Sequence, residues 1–62
     1  MRYKISARSS AGPISVSRDS PAKAIEKAME YIRFGMRDVQ ITDVETGRIY
    51  RSDEFELLLK AE

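Results

Sequence analysis

Residues 20 to 35 carry a helix start, one apolar stripe and a helix stop, and this segment constrains the fold more than any other. Ser20 can accept a hydrogen bond from a free amide of the first turn, and Pro21 takes the first helical position, where its missing N–H costs nothing. Ile25, Ala28, Met29 and Ile32 recur at helical spacing on one face. Lys23, Glu26, Lys27, Glu30 and Arg33 occupy the rest, with Lys27/Glu30 and Glu30/Arg33 at mutually supportive separations. Gly35 suits the left-handed residue that ends a helix, and Met36 can pack back on the last turn.

The flanking segments read as strands. Arg2 to Arg8 alternates, with Tyr3, Ile5 and Ala7 on one side and Arg2, Lys4, Ser6 and Arg8 on the other, the period of a half-buried strand. Ser9-Ser10-Ala11-Gly12-Pro13 supplies a reversal, after which Ile14 and Val16 face inward and Ser15 and Ser17 outward, so residues 2 to 18 form a hairpin. Beyond the helix, Val39 and Ile41 begin a third strand, and Glu45-Thr46-Gly47 fits a three-residue loop closed by a glycine bulge. That loop would pair Val44 with Arg48, Asp43 with Ile49 and Thr42 with Tyr50, placing Ile49 inward and Gln40, Thr42, Arg48 and Tyr50 outward.

Asp53 followed by Glu56 fits a capping box, and Phe55, Leu58 and Leu59 give the short closing helix one apolar face, with Leu57 off that face and exposed. A helix between two strand pairs buries its stripe against the sheet they form. The expected fold is therefore one α+β domain over residues 1–62: a two-layer ββαββα arrangement, with a four-stranded, mainly antiparallel sheet, one long helix on one face and a short C-terminal helix. Strand order 2-1-3-4 makes every neighbouring pair antiparallel, and 1-2-3-4 with a right-handed crossover is also permitted. The expected core is Tyr3, Ile5, Ile14, Val16, Ile25, Met29, Ile32, Val39, Ile41, Ile49, Phe55, Leu58 and Leu59. A chain of 62 residues with such a core is of marginal stability, and a second subunit would support it.

The chain has no histidine, cysteine or tryptophan and no phosphate-binding glycine motif. Without histidine or cysteine, catalysis would fall to carboxylates, lysines, tyrosines and serines, and none of these forms a recognisable set, so neither an enzyme nor a cofactor nor a metal site is expected. Asp38, Asp43 and Glu45 read as edge and turn acids. Arg8-Ser9-Ser10-Ala11-Gly12 could offer hydroxyls, amides and an arginine to a phosphate, but has one glycine and no lysine-serine/threonine end, so a plain hairpin loop is the expectation. No stretch approaches the ~20 apolar residues of a membrane span, and no secretory-type apolar run opens the sequence, so a cytoplasmic location is expected.

The run Asp38-Val39-Gln40-Ile41-Thr42-Asp43, then Gly47-Arg48-Ile49-Tyr50 and Asp53-Glu54-Phe55, resembles small uncharacterised bacterial proteins of similar length with the same ββαββα order. The segment Asp19-Ser20-Pro21-Ala22-Lys23-Ala24-Ile25 through Ala28 resembles the helix start of HicB-type antitoxins, where a strand pair precedes an alanine-spaced helix. The Pro-Gly-Cys-like segment usual before that helix is absent here. These resemblances imply a compact α+β fold and carry over no activity.

Function is then expected to reside in a surface. Net charge is +1, but residues 1 to 18 hold Arg2, Lys4, Arg8 and Arg18 without an acid, whereas 53 to 62 hold Asp53, Glu54, Glu56 and Glu62 against Lys60. The candidate interaction residues are Arg2, Lys4, Arg8, Arg48, Tyr50 and Leu57. The leading expectation is a non-enzymatic protein-interaction module, homodimeric or bound to a protein partner, with no small-molecule substrate. The alternative is a nucleic-acid-binding regulator whose open, basic sheet face touches phosphates with Arg2, Lys4, Arg8 and Arg48.

Overall fold

The structure, a computed structural model, describes residues 2–60. Glu62 of the acidic end lies outside the described residues. Strands β1 (Tyr3–Ser9) and β2 (Gly12–Arg18) precede helix α1 (Pro21–Arg33), followed by β3 (Arg37–Asp43), β4 (Ile49–Arg51), a 3-10 turn (Ser52–Glu54) and α2 (Phe55–Lys60). The sheet order is β2-β1-β3-β4 with every neighbouring pair antiparallel, so the fold is the expected α+β class.

Both ends of α1 form as their residues dictate. The Ser20 hydroxyl accepts from the Lys23 amide at 3.3 Å, and Pro21 follows in the first turn. At the far end, Gly35 takes φ +79°, its amide donates to Ile32 O at 3.0 Å, and the Met36 amide reaches back to Tyr31 O at 3.1 Å. This pair of reverse bonds satisfies carbonyls that a helix end otherwise leaves bare.

The core is narrower than the apolar pattern suggests. It comprises Tyr3, Ile5, Ala7, Ala24, Ala28, Tyr31, Ile41, Tyr50, Phe55 and Leu58, with Val16, Ile25, Met36 and Val39 packed at its margin. Five expected core residues are instead exposed: Ile14, Met29, Ile32, Ile49 and Leu59. Two rearrangements account for four of them, and the fifth, Ile14, faces the helix layer on the outermost strand, where it is only partly covered.

First, α1 lies on the sheet through Pro21, Ala24, Ala28 and Tyr31 rather than through Ile25, Ala28, Met29 and Ile32. Alanines hold the helix close to Ile5 and Ile41, and the bulkier side chains turn to its flank. Likewise α2 seats Phe55 and Leu58 and leaves Leu57 and Leu59 outward. Its start also differs from the expected Asp53/Glu56 box: the Glu54 carboxylate accepts from the Arg51 amide at 3.2 Å, so the turn begins earlier.

Second, the β3–β4 hairpin closes one residue away from the expected register. The observed pairs are Thr42–Ile49, Ile41–Tyr50 and Gln40–Arg51, with the Asp43 amide donating to Arg48 O at 2.8 Å. The Asp43 carboxylate accepts from the Glu45 amide at 3.0 Å and the Gly47 amide donates to Asp43 O at 2.7 Å, so the turn starts at Asp43 and spans Val44 to Gly47. Gly47 keeps its expected left-handed role at φ +78°. A one-residue slip reverses every side chain of a strand. Tyr50 is accordingly buried at 4 % exposure and Ile49 stands in solvent at 50 %.

These two side chains test the register directly. Tyr50→Ala should cost about 3 kcal/mol or more, the range for emptying a buried aromatic site, while Ile49→Ala should cost under ~1 kcal/mol. Urea unfolding midpoints of the two variants check this; equal losses would contradict the pairing.

Candidate functional site: the open sheet face and its end cleft

With α1 and α2 on one side, the other face of the sheet is built by the residues alternating with the core. Across the strands, in register, lie Ser17, Lys4, Thr42 and Ile49; then Ser15, Ser6, Gln40 and Arg51; then Pro13, Arg8 and Arg37. This is a polar, hydroxyl-rich surface carrying Lys4, Arg8, Arg37 and Arg51, all exposed. None of these four cations has an ion-pair partner among the described residues, whereas Lys27 and Glu30 on α1 pair at 3.2 Å.

The six candidate residues divide. Lys4 and Arg8 stand on the open face as expected. Arg2 lies at the opposite end of the sheet from Arg8, beside Asp19, Val44 and Glu45. Arg48 and Tyr50 belong to the helix side, because the register places Tyr50 opposite Ile41 and Arg48 opposite Asp43. There the Arg48 guanidinium covers the Tyr50 ring at 4.8 Å, a contact worth ~0.5–1 kcal/mol at a partly exposed site. Leu57 is exposed, on the helix layer. The open face therefore loses Arg48 and its one expected aromatic, and gains Arg37 and Arg51, whose placement depends on the hairpin register and on a bulge.

That bulge lies between β1 and β3. Ser6 faces Gln40 and Arg8 faces Arg37, so Ala7 is opposed by both Asp38 and Val39. Asp38 absorbs the extra residue at φ +53°, the one non-glycine positive φ among the described residues. Aspartate tolerates this conformation better than most side chains. Asp38 is thus a backbone device, and Asp43 is a buried turn acceptor. Among the described residues no three His, Cys, Asp or Glu gather at metal-binding spacing.

The bulge sets two arginines directly opposite each other, Arg8 on β1 and Arg37 on β3. Like charges so placed repel. They line one end cleft of about 440 Å³ with Ser9 and Ser10 of the β1–β2 turn and Phe34, Gly35 and Met36 of the α1–β3 connection. Phe34, the residue that closes α1, is 67 % exposed. Sequence periodicity did not draw attention to Phe34 or Arg37, which belong to a connection rather than to either repeating pattern.

If Asp38 is held in the left-handed region, Asp38→Gly should raise stability by up to ~1 kcal/mol, Asp38→Asn should be close to neutral, and Asp38→Val should lose more than ~1 kcal/mol. Chemical denaturation of the three variants separates backbone strain from charge, since glycine and asparagine remove the same carboxylate.

No family model, curated protein or solved structure matches the chain.

Proposed function

We propose that this chain is a non-catalytic protein-interaction module of the cytoplasm that works as a homodimer, closed through the outer surface of its helix layer. The observation that carries this reading is the set Met29 and Ile32 on α1 with Leu57 and Leu59 on α2, apolar side chains left uncovered in the single chain. No helix among the described residues is long and apolar enough to cross a membrane.

The second copy is favoured by size and charge. A monomer of 7.1 kDa ordinarily exposes about 4,100 Å², and this chain exposes 4410 Å² over extents of 33 × 18 × 16 Å. Covering ~800 Å² per subunit, the usual scale of a stable interface, would take about a fifth of that surface. Charges of both signs lie on the same two helices, Glu26 and Arg33 on α1 and Glu56 and Lys60 on α2, so a two-fold axis can set acid against base.

Sedimentation equilibrium at micromolar to hundred-micromolar concentration should give the mass of two chains. Ile32→Glu combined with Leu59→Glu should return the single-chain mass while leaving the circular dichroism spectrum intact, since neither side chain is in the core. A wild-type protein that stays single-chain at every concentration overturns the proposal, as does Leu57→Asp plus the double variant with unchanged association.

A further inference from the structure

We propose that the end cleft between the β1–β2 turn and the α1–β3 connection binds single-stranded nucleic acid, with a backbone phosphate between Arg8 and Arg37 and a base stacked on Phe34. This goes beyond the dimer reading: the cleft is lined by Arg8, Ser9, Ser10, Phe34, Met36 and Arg37 and by none of Met29, Ile32, Leu57 and Leu59, although Ile32 borders the adjoining hollow with Arg8 and Met36.

The cationic pair is the first support. Arg8 and Arg37 are exposed cross-strand partners with no ion pair among the described residues, so an anion between them would replace a like-charge repulsion with two charge-assisted contacts. Two full charges outweigh the partial negative charge, about half a unit, at the C-terminal end of α1 nearby. That end is further quieted because the Gly35 and Met36 amides already occupy the carbonyls of Ile32 and Tyr31. Asp38, next in sequence to Arg37, lines the adjoining hollow with Arg8 and approaches neither arginine within ion-pair distance.

The aromatic is the second support and selects the ligand class. Phe34 is the most exposed large apolar side chain among the described residues, at 67 %, and it stands in the same cleft as the arginines. A free phosphate or sulfate would use the cations and leave the ring in water; a nucleotide uses both, because every base offers a flat apolar face. The Ser9 hydroxyl is engaged within its own turn, donating to Gly12 O at 3.0 Å and accepting from the Ala11 amide, which leaves Ser10 as the free hydroxyl at the rim. From the cleft the positive track continues over the open face to Arg51 and to Lys4, the latter four residues along β1 from Arg8 and so about 13 Å away.

Double-stranded nucleic acid can engage the cations alone, since its bases are already stacked on each other and cannot cover Phe34 without being flipped out. The sugar is not discriminated by anything in the cleft, so RNA and DNA single strands share the required chemistry.

The test is fluorescence anisotropy with labelled oligo-U RNA, oligo-dT DNA, a duplex of the same length and an abasic deoxyribose-phosphate strand, each about ten nucleotides, at ~20 and ~150 mM salt. Both single strands should bind, weakening with a log–log salt slope of about 0.7 for each phosphate engaged, and the duplex and abasic strand should bind more weakly. Phe34→Ala should weaken the intact strands roughly five- to hundredfold and leave abasic binding unchanged. Arg37→Ala should lower the salt slope by about 0.7, and Arg48→Ala, on the opposite face, should change nothing. These three side chains are outside the core, so folded variants are expected and circular dichroism verifies it. Absence of binding at low salt overturns the proposal. So does binding that ignores Phe34→Ala or is equal for the abasic strand, which would reduce the cleft to a diffuse positive charge.

Discussion

The contact between two alanines of α1 and the centre of the sheet governs the rest of the molecule. Ala24 and Ala28 are fully buried, as are Ile5 on β1 and Ile41 on β3, so the helix rests on the isoleucines with almost no side chain of its own between. Close approach buries backbone-proximal surface well, but it leaves no depth for long side chains on the contact line. Tyr31 can lie along one flank with Lys27 over its ring at 5.6 Å, while Met29 and Ile32 are turned to the other flank and left partly uncovered. The apolar surface invoked for dimerisation is therefore a consequence of how the core packs, and filling the core differently would remove it.

Much of the architecture was legible because it depended on local chemistry with few alternatives. Ser20, Pro21 and Gly35 delimit α1, strict alternation orients β1, and the preference for antiparallel neighbours selects the order β2-β1-β3-β4. The helix face was less legible because Ala28 belongs to two stripes, 21-24-28-31 and 25-28-29-32. Hydrophobicity favours the second, which holds the larger side chains, whereas steric depth favours the first. Position alone does not show how near the sheet will be.

The β3–β4 hairpin illustrates the same limit at the scale of a single hydrogen bond. Glu45-Thr46-Gly47 is a sound three-residue loop, but Asp43 can begin a turn with its own carboxylate, and the four-residue closure that results also places Gly47 left-handed. Both closures satisfy the glycine. The choice is made by the partner strand, because the longer loop lets Tyr50 cover Ile41 while the shorter one would bury Ile49 and wet the ring. This choice determines what the candidate site contains: with Tyr50 inside, the open face has cations and hydroxyls but no ring, and an aromatic must come from outside the strands. Phe34 supplies one from a connection that neither a period of two nor one of 3.6 describes.

The two proposed surfaces adjoin at the end of α1, where Ile32 and Arg8 line one hollow, and this geometry couples them. Two chains joined helix layer to helix layer would present their basic sheet faces on opposite sides of the dimer, each with an Arg8–Arg37–Phe34 cleft at the end of its sheet. A flexible strand engaging one cleft would have to pass around the dimer to reach the other, so the effective concentration at the second cleft is negligible for a strand of a few nucleotides and rises once the strand can span the assembly. Dimerisation by this route leaves the affinity for short strands unaltered and strengthens binding only of long ones. Association through the uncapped β2 edge would instead extend one sheet and place both basic faces on a single side, where even short strands could bridge them. The length at which affinity begins to rise therefore reports which surface holds the two chains together, independently of their mass.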